Sequence, residues 1–431
     1  MLANLQRTDL RHNSYLRWLG SICLVAIGLR LVWIGLVAHI PIAPNDATDQ
    51  ASIYAMGEKI SRGQGLDNWY YPPLYPLLLG IWLLIRRALM LSFIPVRVFM
   101  GVIHIGITVG VIVATAELGR RRFSHRVGLL AAGLLAVWPN SVIGVGVLMT
   151  EQLATPLFML GVVIVLWSRS YSSRRLGFAG LIFGLAILAR PALTPIIIAV
   201  PILLLTQRRN ARHLGRCLAY FLVAMLCVLL PWLSYTYAQT GEITLGTAGG
   251  FNLCLGNNDT GYVSWSQESV TRYCPNPQNP QDDRALYRSA ARWMLEHPWQ
   301  QPVRIMKRAF DLSFGDFSNA DLYPTADQWQ VRGMPQMVFF ITALAWWTAM
   351  LIWAIAGLVR LNDRILKWAV VILSSSAIAI PLVSVATNRY HDILIPVMAL
   401  LVASGSLRAG TRRERALKRF STTRLTLAIS G

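Results

Sequence analysis

The chain has 431 residues, 55% of them hydrophobic and only 14% charged, a balance that excludes a water-soluble protein of this length. Its net charge of +20 would suit nucleic acid, but the arginines fall in short clusters between apolar runs and form no continuous basic domain, so no nucleic-acid partner is expected. Apolar runs of about 20 residues recur from Leu19 to Leu407, each long enough to cross a hydrocarbon core of roughly 30 Å. The fold class is therefore an all-α polytopic membrane protein with about 10 transmembrane helices (range about 10–12).

Arg7, Arg11 and Arg17 precede the first apolar run, which lacks a small-residue cleavage site and reads as an uncleaved anchor. Later basic clusters at 120–126, 169–175, 208–216, 360–367 and in the tail at 408–424 mark the cytoplasmic side. Even numbers of crossings between clusters place two long loops, 41–94 and 239–334, on the external side. The short run at 74–85, followed by Arg86 and Arg87, reads as an interfacial or re-entrant helix, and the crossing falls to 95–118. The divisions are a transmembrane module 1–238 that includes loop 41–94, an external subdomain 239–334, C-terminal helices 335–407 and a basic cytoplasmic tail 408–431.

In the first loop, Asp46 and Asp49 stand ahead of an amphipathic stretch with Ile53, Met56, Gly57 and Ile60 on one face. Asp49 is either a helix cap or a functional carboxylate pointing with that apolar face. The following "YYPPLYP" fixes an extended entry into a helix and holds Tyr70, Tyr71 and Tyr75 near the interface, where tyrosine belts are also common without catalytic meaning.

Glu151 opens a span, and a carboxylate at that boundary is costly unless paired or used. Arg190 and Arg389 break the positive-inside trend at external turns, and Tyr390 and His391 follow Arg389. Each arginine suits either a nearby carboxylate or a lipid phosphate. "GTAGGFNLCLGNNDTGYVSW" (246–265) supplies turn residues, and Asn257 and Asn258 also suit a hydroxyl-rich ligand. Cys254 and Cys274 share this loop and, outside the cytosol, would close a disulfide loop of about 20 residues worth roughly 3 kcal/mol. Cys23, Cys217 and Cys227 lie in apolar segments as inert thiols. No metal-ligand spacing, phosphate-binding glycine loop or nucleophile elbow is present.

An acidic first loop, "SRGQGL", "YYPPLYPLLLG", an external "TE" opening a span, "GLAILARP", "GGFNLCLGNND", "MLEHP" and a late "NRYHDILIP" follow in this order. Taken in that order, they resemble the GT-C glycosyltransferases of the protein-mannosyltransferase-like and aminoarabinose-transferase-like group (glycosyltransferase family 39-like). Asp49, Ile53, Gly57 and Gly63 fit the family frame, with Ile53 in place of a tyrosine, Tyr54 beside it, and Asp49-Gln50 where many relatives have Asp-Glu.

The resemblance implies inverting transfer of one sugar from a polyprenyl-phosphate donor to an envelope lipid, protein or glycan acceptor. The reaction would take place on the external face of a bacterial inner membrane, among membrane lipids. It implies Asp49 as catalytic residue with Asp46 in reserve, Arg190 and Arg389 on the donor phosphate, and Tyr54, Tyr71, Glu151, Asn257, Asn258, Tyr390 and His391 around the substrates. No cofactor is required; a divalent cation (Mg or Mn), present in some relatives, is not indicated by the residues. Two other readings of the same pattern are an O-antigen polymerase or ligase and a lipid-linked sugar flippase or transporter. A transporter predicts charges deep inside paired broken helices.

Overall fold

A computed structural model describes residues 2–38, 40, 42, 49–66, 69–167, 171–206, 210–313 and 336–407. Asp46 and the tail 408–431 lie outside the described residues. All regular structure among those described is helical. Six helices are long and apolar enough to cross a membrane: Asn13–Val37, Val96–Arg122, Ala211–Thr240, Ile341–Val359, Arg364–Val383 and Arg389–Leu407. His125–Ala136 and Pro139–Gly146 make a seventh if their 59° bend is counted within one span.

Glu151–Leu166 and Pro191–Leu205 are apolar but shorter. The segments expected from hydropathy are thus helical, with turns at Pro139 and Pro191, each at the start of a new helical segment where proline's missing N–H costs nothing. Leu74–Ala88, 15 residues with Arg86 and Arg87 in its last turn, is not among the candidate spans.

The broken span is repaired by a buried arginine. Arg30, inside the first span, donates to the Leu135 and Ala136 carbonyls at 3.3 and 2.8 Å and to Ser141 Oγ at 2.9 Å. It thereby satisfies acceptors that the end of helix His125–Ala136 leaves without an intrahelical partner. The main core lies among Glu151–Leu166, Ser173–Ala189 and Ala211–Thr240, where Phe158, Phe183 and Phe221 pack edge to face with centroids 5.9 and 6.3 Å apart. Gly180 allows the latter two helices to touch, since a Cβ there would overlap the Phe221 carbonyl.

The two long loops meet at one end of the bundle. Helices Asp49–Ser61 and Leu74–Ala88 pack on each other through Gly57 and Gly80, which lie against Leu79 and Ile60. The turn between them passes through Gly63 and Gly65, with φ of 74° and 78° that favour glycine. The second loop contributes helices Ala248–Gly256, Gln267–Arg272, Pro280–Glu296 and Gln301–Ser313. Thr247 donates its backbone N–H to the Trp69 carbonyl at 2.7 Å, and the Phe251 ring packs edge-on against Tyr70. Cys254 and Cys274 are disulfide-bonded, their Cα atoms 5.8 Å apart.

Candidate active site

Asp49 is the first residue of helix Asp49–Ser61, where a carboxylate complements the helix dipole. The site extends beyond this local role. Tyr71 donates its hydroxyl to Asp49 Oδ1 at 3.0 Å, and Arg389 Nη2 donates to Oδ2 at 2.9 Å, across 340 positions of sequence. Arg389 Nε also lies 3.7 Å from Glu151 Oε1, and the same carboxylate oxygen is 2.6 Å from Arg190 Nη1. The four charges alternate, Asp49, Arg389, Glu151, Arg190, and sum to zero. Tyr390 lies beneath the arginines, with the Arg190 guanidinium carbon 4.2 Å and that of Arg389 5.7 Å from its ring centroid.

Each member is delivered by a different local device. The Pro72-Pro73 pair turns the chain from Tyr71 into helix Leu74–Ala88, where the Pro73 carbonyl accepts from the Leu77 N–H at 3.0 Å. Glu151 and Arg190 sit at helix ends, Glu151 opening Glu151–Leu166 and Arg190 closing Ser173–Ala189. Arg389 and Tyr390 lie on the 3₁₀ turn Asn388–Leu394. Asp49 is partly exposed, Arg389 and Arg190 less so, and Glu151 is buried.

Gln50 and Arg97 fix the register of this arrangement. Gln50 Oε1 accepts from the Leu148 N–H at 3.1 Å and from Arg97 Nη1 at 3.4 Å, while Arg97 also donates to the carbonyls of Ile40 at 3.2 Å and Gly146 at 2.5 Å. The start of the first-loop helix is thus clamped to the strand-like segment leading into Glu151. Beside the clamp, His104 Nδ1 meets the Val145 carbonyl at 2.9 Å and therefore carries the proton, so Tyr75, at 3.1 Å, donates to Nε2.

Burial first, and the neighbouring Asp49 carboxylate second, hold the Tyr70 and Tyr71 hydroxyls above their ordinary pKa. Tyr71 is therefore a hydrogen-bond donor throughout the neutral range.

The structure draws Asp49, Tyr71, Glu151, Arg190, Arg389 and Tyr390 into one cluster and gives Tyr54, Asn257, Asn258 and His391 other partners. Tyr54 bonds Glu58 at 3.2 Å on its own helix. Asn257 donates to the carbonyls of Leu253 and Val383, and Asn258 to those of Cys254 and Leu255 while accepting from Thr260, so both amides serve the turn. The His391 ring stacks on Trp347 at 3.7 Å, with Nδ1 2.6 Å from the Leu312 carbonyl.

Residues that pattern reading missed are Gln50, Arg97 and the loop arginines Arg304 and Arg308. A charge at the start of an apolar run was the available signal for Arg97. Among the described residues no group of three His, Cys, Asp or Glu side chains is arranged to hold a metal ion; the cation between the two site carboxylates is Arg389.

An apolar groove of about 570 Å³ is lined by Gly63, Gly65, Leu77, Leu188, Trp232 and Tyr235, and by Pro73, close in sequence to Tyr71. Trp69, just before the site tyrosines, packs on Trp232 and Tyr235 with centroids 6.1 and 5.9 Å away.

Residues 71–235 match the profile of the family described as dolichyl-phosphate-mannose-protein mannosyltransferase. That segment includes Tyr71, Glu151 and Arg190, whereas Asp49 and Arg389 lie outside it. No curated protein matches.

Among solved structures, the oligosaccharyltransferase of Archaeoglobus fulgidus complexed with Zn and sulfate superposes with a TM-score of 0.52 at 15% identity, over 94% of this chain and 51% of that one. Its apo form gives 0.53 at 14% identity, over 94% and 52%. The archaeal oligosaccharyltransferase AglB from the same organism, in complex with an inhibitory peptide and a dolichol-phosphate, gives 0.53 at 15% identity, over 95% and 52%. This chain spans about half the length of those it matches. It is an integral membrane protein with a GT-C fold, in which residues 71–235 carry the sequence pattern of the dolichyl-phosphate-mannose-protein mannosyltransferases.

Proposed function

We propose that the protein is an inverting membrane glycosyltransferase that moves one sugar from a polyprenyl-phosphate donor to an acceptor hydroxyl at the external face of the membrane. The observation that carries this reading is the bond from Arg389 to Asp49, which sets a carboxylate base beside a guanidinium able to receive a phosphate. In the reaction, the acceptor oxygen attacks the anomeric carbon, the bond from that carbon to the phosphate oxygen breaks, and Asp49 takes the hydroxyl proton. Its two oxygens offer about four acceptor positions, so the bonds from Tyr71 and Arg389 leave room for an incoming hydroxyl.

Arg190 and Arg389 stabilise the leaving phosphate, whose charge rises as the bond breaks. A guanidinium has five N–H donors, and the pairs with Glu151 and Asp49 use only part of this capacity. Buried Glu151 pairs with both cations and holds them in place, which spares reorganisation during the transfer. The apolar groove gives the lipid tail a path to the bilayer. On this reading the residues themselves supply the positive charge, and no cofactor is invoked.

The test uses the purified chain in lipid nanodiscs with a panel of polyprenyl-phosphate sugars, product being identified by mass spectrometry. Asp49→Asn should slow transfer by about two to four orders of magnitude while the donor still binds. Transfer at the wild-type rate would remove Asp49 from the mechanism, and movement of lipid-linked sugar across the bilayer without any transfer would favour a flippase.

A further inference from the structure

Helix Gln301–Ser313 is amphipathic with its polar face inward. Its buried positions are Arg304, Arg308 and Leu312, one turn apart, whereas Met306 and Phe310 on the other side are 69% and 62% exposed and Val303 is exposed with them. At 3.6 residues per turn these three form one stripe, and Trp299, in the 3₁₀ turn just before the helix, is 90% exposed. The inward arginines are engaged. Arg304 donates to the carbonyls of Gly256, Asn258 and Tyr262, and Arg308 to those of Gly256 and Leu382 and to Asn257 Oδ1. They hold the helix against loop 246–265 and so oblige its apolar residues to face away.

The level of the helix identifies what covers that stripe. The Ser313 carbonyl accepts from Trp347 Nε1 at 2.7 Å, and Trp347 lies within the candidate span Ile341–Val359. The Leu312 carbonyl meets His391 in the span Arg389–Leu407, and Arg308 reaches Leu382 at the end of Arg364–Val383. The second half of the helix therefore sits beside the ends of Arg364–Val383 and Arg389–Leu407 and beside Trp347 within Ile341–Val359. The helix thus runs beside apolar spans, whose residues such as Ile341 are themselves exposed. Lys307 lies beside the stripe, where a long cationic side chain can reach the headgroups, and Trp299 is a residue type suited to the interface.

We propose that helix Gln301–Ser313 is seated in the membrane leaflet at the Asp49 end, with Trp299, Val303, Met306 and Phe310 at the boundary between headgroups and acyl chains. The partner is the lipid surface itself. Because this helix also packs on the turn that carries Arg389, the bilayer would press the second loop against the site.

The test places a nitroxide at Val303→Cys, Met306→Cys, Phe310→Cys and, for reference, Arg288→Cys, in the full chain with Cys23, Cys217 and Cys227 replaced by serine. The protein is reconstituted in vesicles of phosphatidylethanolamine and phosphatidylglycerol. Collision with oxygen relative to a water-soluble nickel chelate should be several-fold greater at 306 and 310 than at 288. Equal ratios would place the stripe in water and overturn the proposal. Labels immobilised and shielded from both agents would overturn it in favour of a protein partner.

Independently, brominated lipids should quench less of the total tryptophan emission in Trp299→Phe than in the otherwise native chain; an unchanged quenched fraction counts against membrane seating. Neither readout depends on sugar transfer, so either can fail while the glycosyltransferase reading stands.

Discussion

Asp49 and Arg389 are chemically informative because neither is satisfied by its own neighbourhood in sequence. Asp49 receives Tyr71 from 22 positions away and Arg389 from 340, and Glu151 then ties Arg389 to Arg190. Lysine at 389 would keep the charge but lose the planar fork that reaches two carboxylates at once. Arg389→Lys is expected to lower kcat/KM for the lipid-linked donor by about a hundredfold, and Tyr71→Phe, which deletes one hydrogen bond to a charged acceptor, by about tenfold. Steady-state kinetics in nanodiscs checks both, and a wild-type kcat/KM in Arg389→Lys would show that charge alone suffices. Of this cluster, Asp49, Glu151, Arg190 and Arg389 were legible as boundary charges in an apolar sequence. Their pairing was not, since no periodicity relates position 49 to position 389.

Within elements, turn chemistry and capping account for most of what forms. Ser124, Ser172, Asn210, Ser266, Asn279 and Asp363 each cap a helix through a side-chain oxygen, as short polar residues ahead of a helical run should. The glycine-rich stretch 246–265 behaves differently from a simple turn. Gly250 and Phe251 supply backbone N–H groups to Asp283 on helix Pro280–Glu296, and burial nevertheless raises the Asp283 carboxyl to about 6.

A carboxyl raised in the folded state binds its proton more tightly there than in the unfolded chain. Its contribution to stability is complete below the ordinary value of 3.8 and is lost as pH rises through about 6. Hydrogen exchange in helix Ala248–Gly256, corrected for the intrinsic effect of pH, should therefore accelerate between about pH 4 and pH 7. Asp283→Asn should flatten that dependence, and an equally steep profile in the variant would assign it to another group. Asn257 and Asn258 were chosen from the sequence for their ligand chemistry, but within this element their amides saturate helix-end carbonyls.

Across the whole molecule, close helix approach decides which residues can share the site. Arg190 terminates Ser173–Ala189, whose Gly180 lies against the Phe221 backbone of Ala211–Thr240. A larger side chain there would force two helices apart and carry Arg190 with one of them. Gly180→Leu should lower the thermal unfolding temperature and reduce transfer together, because over-packing in a tight interface costs about 1–3 kcal/mol or more. An unchanged melting profile in detergent would show that this interface yields without strain.

The amino-acid sequence by itself determined the membrane character, the helical segments and the residue types that gather at one end. These follow from hydropathy, charge asymmetry and proline and glycine chemistry, all of which act over a few residues. Tertiary structure alone decided that Asp49 faces Arg389, that Gln50 and Arg97 lock its register, and that Arg304 and Arg308 turn inward while an apolar stripe turns out. Those outcomes depend on packing between segments hundreds of positions apart, where a buried guanidinium is stabilised only by the particular carbonyls and carboxylates that the fold brings within 3 Å or so.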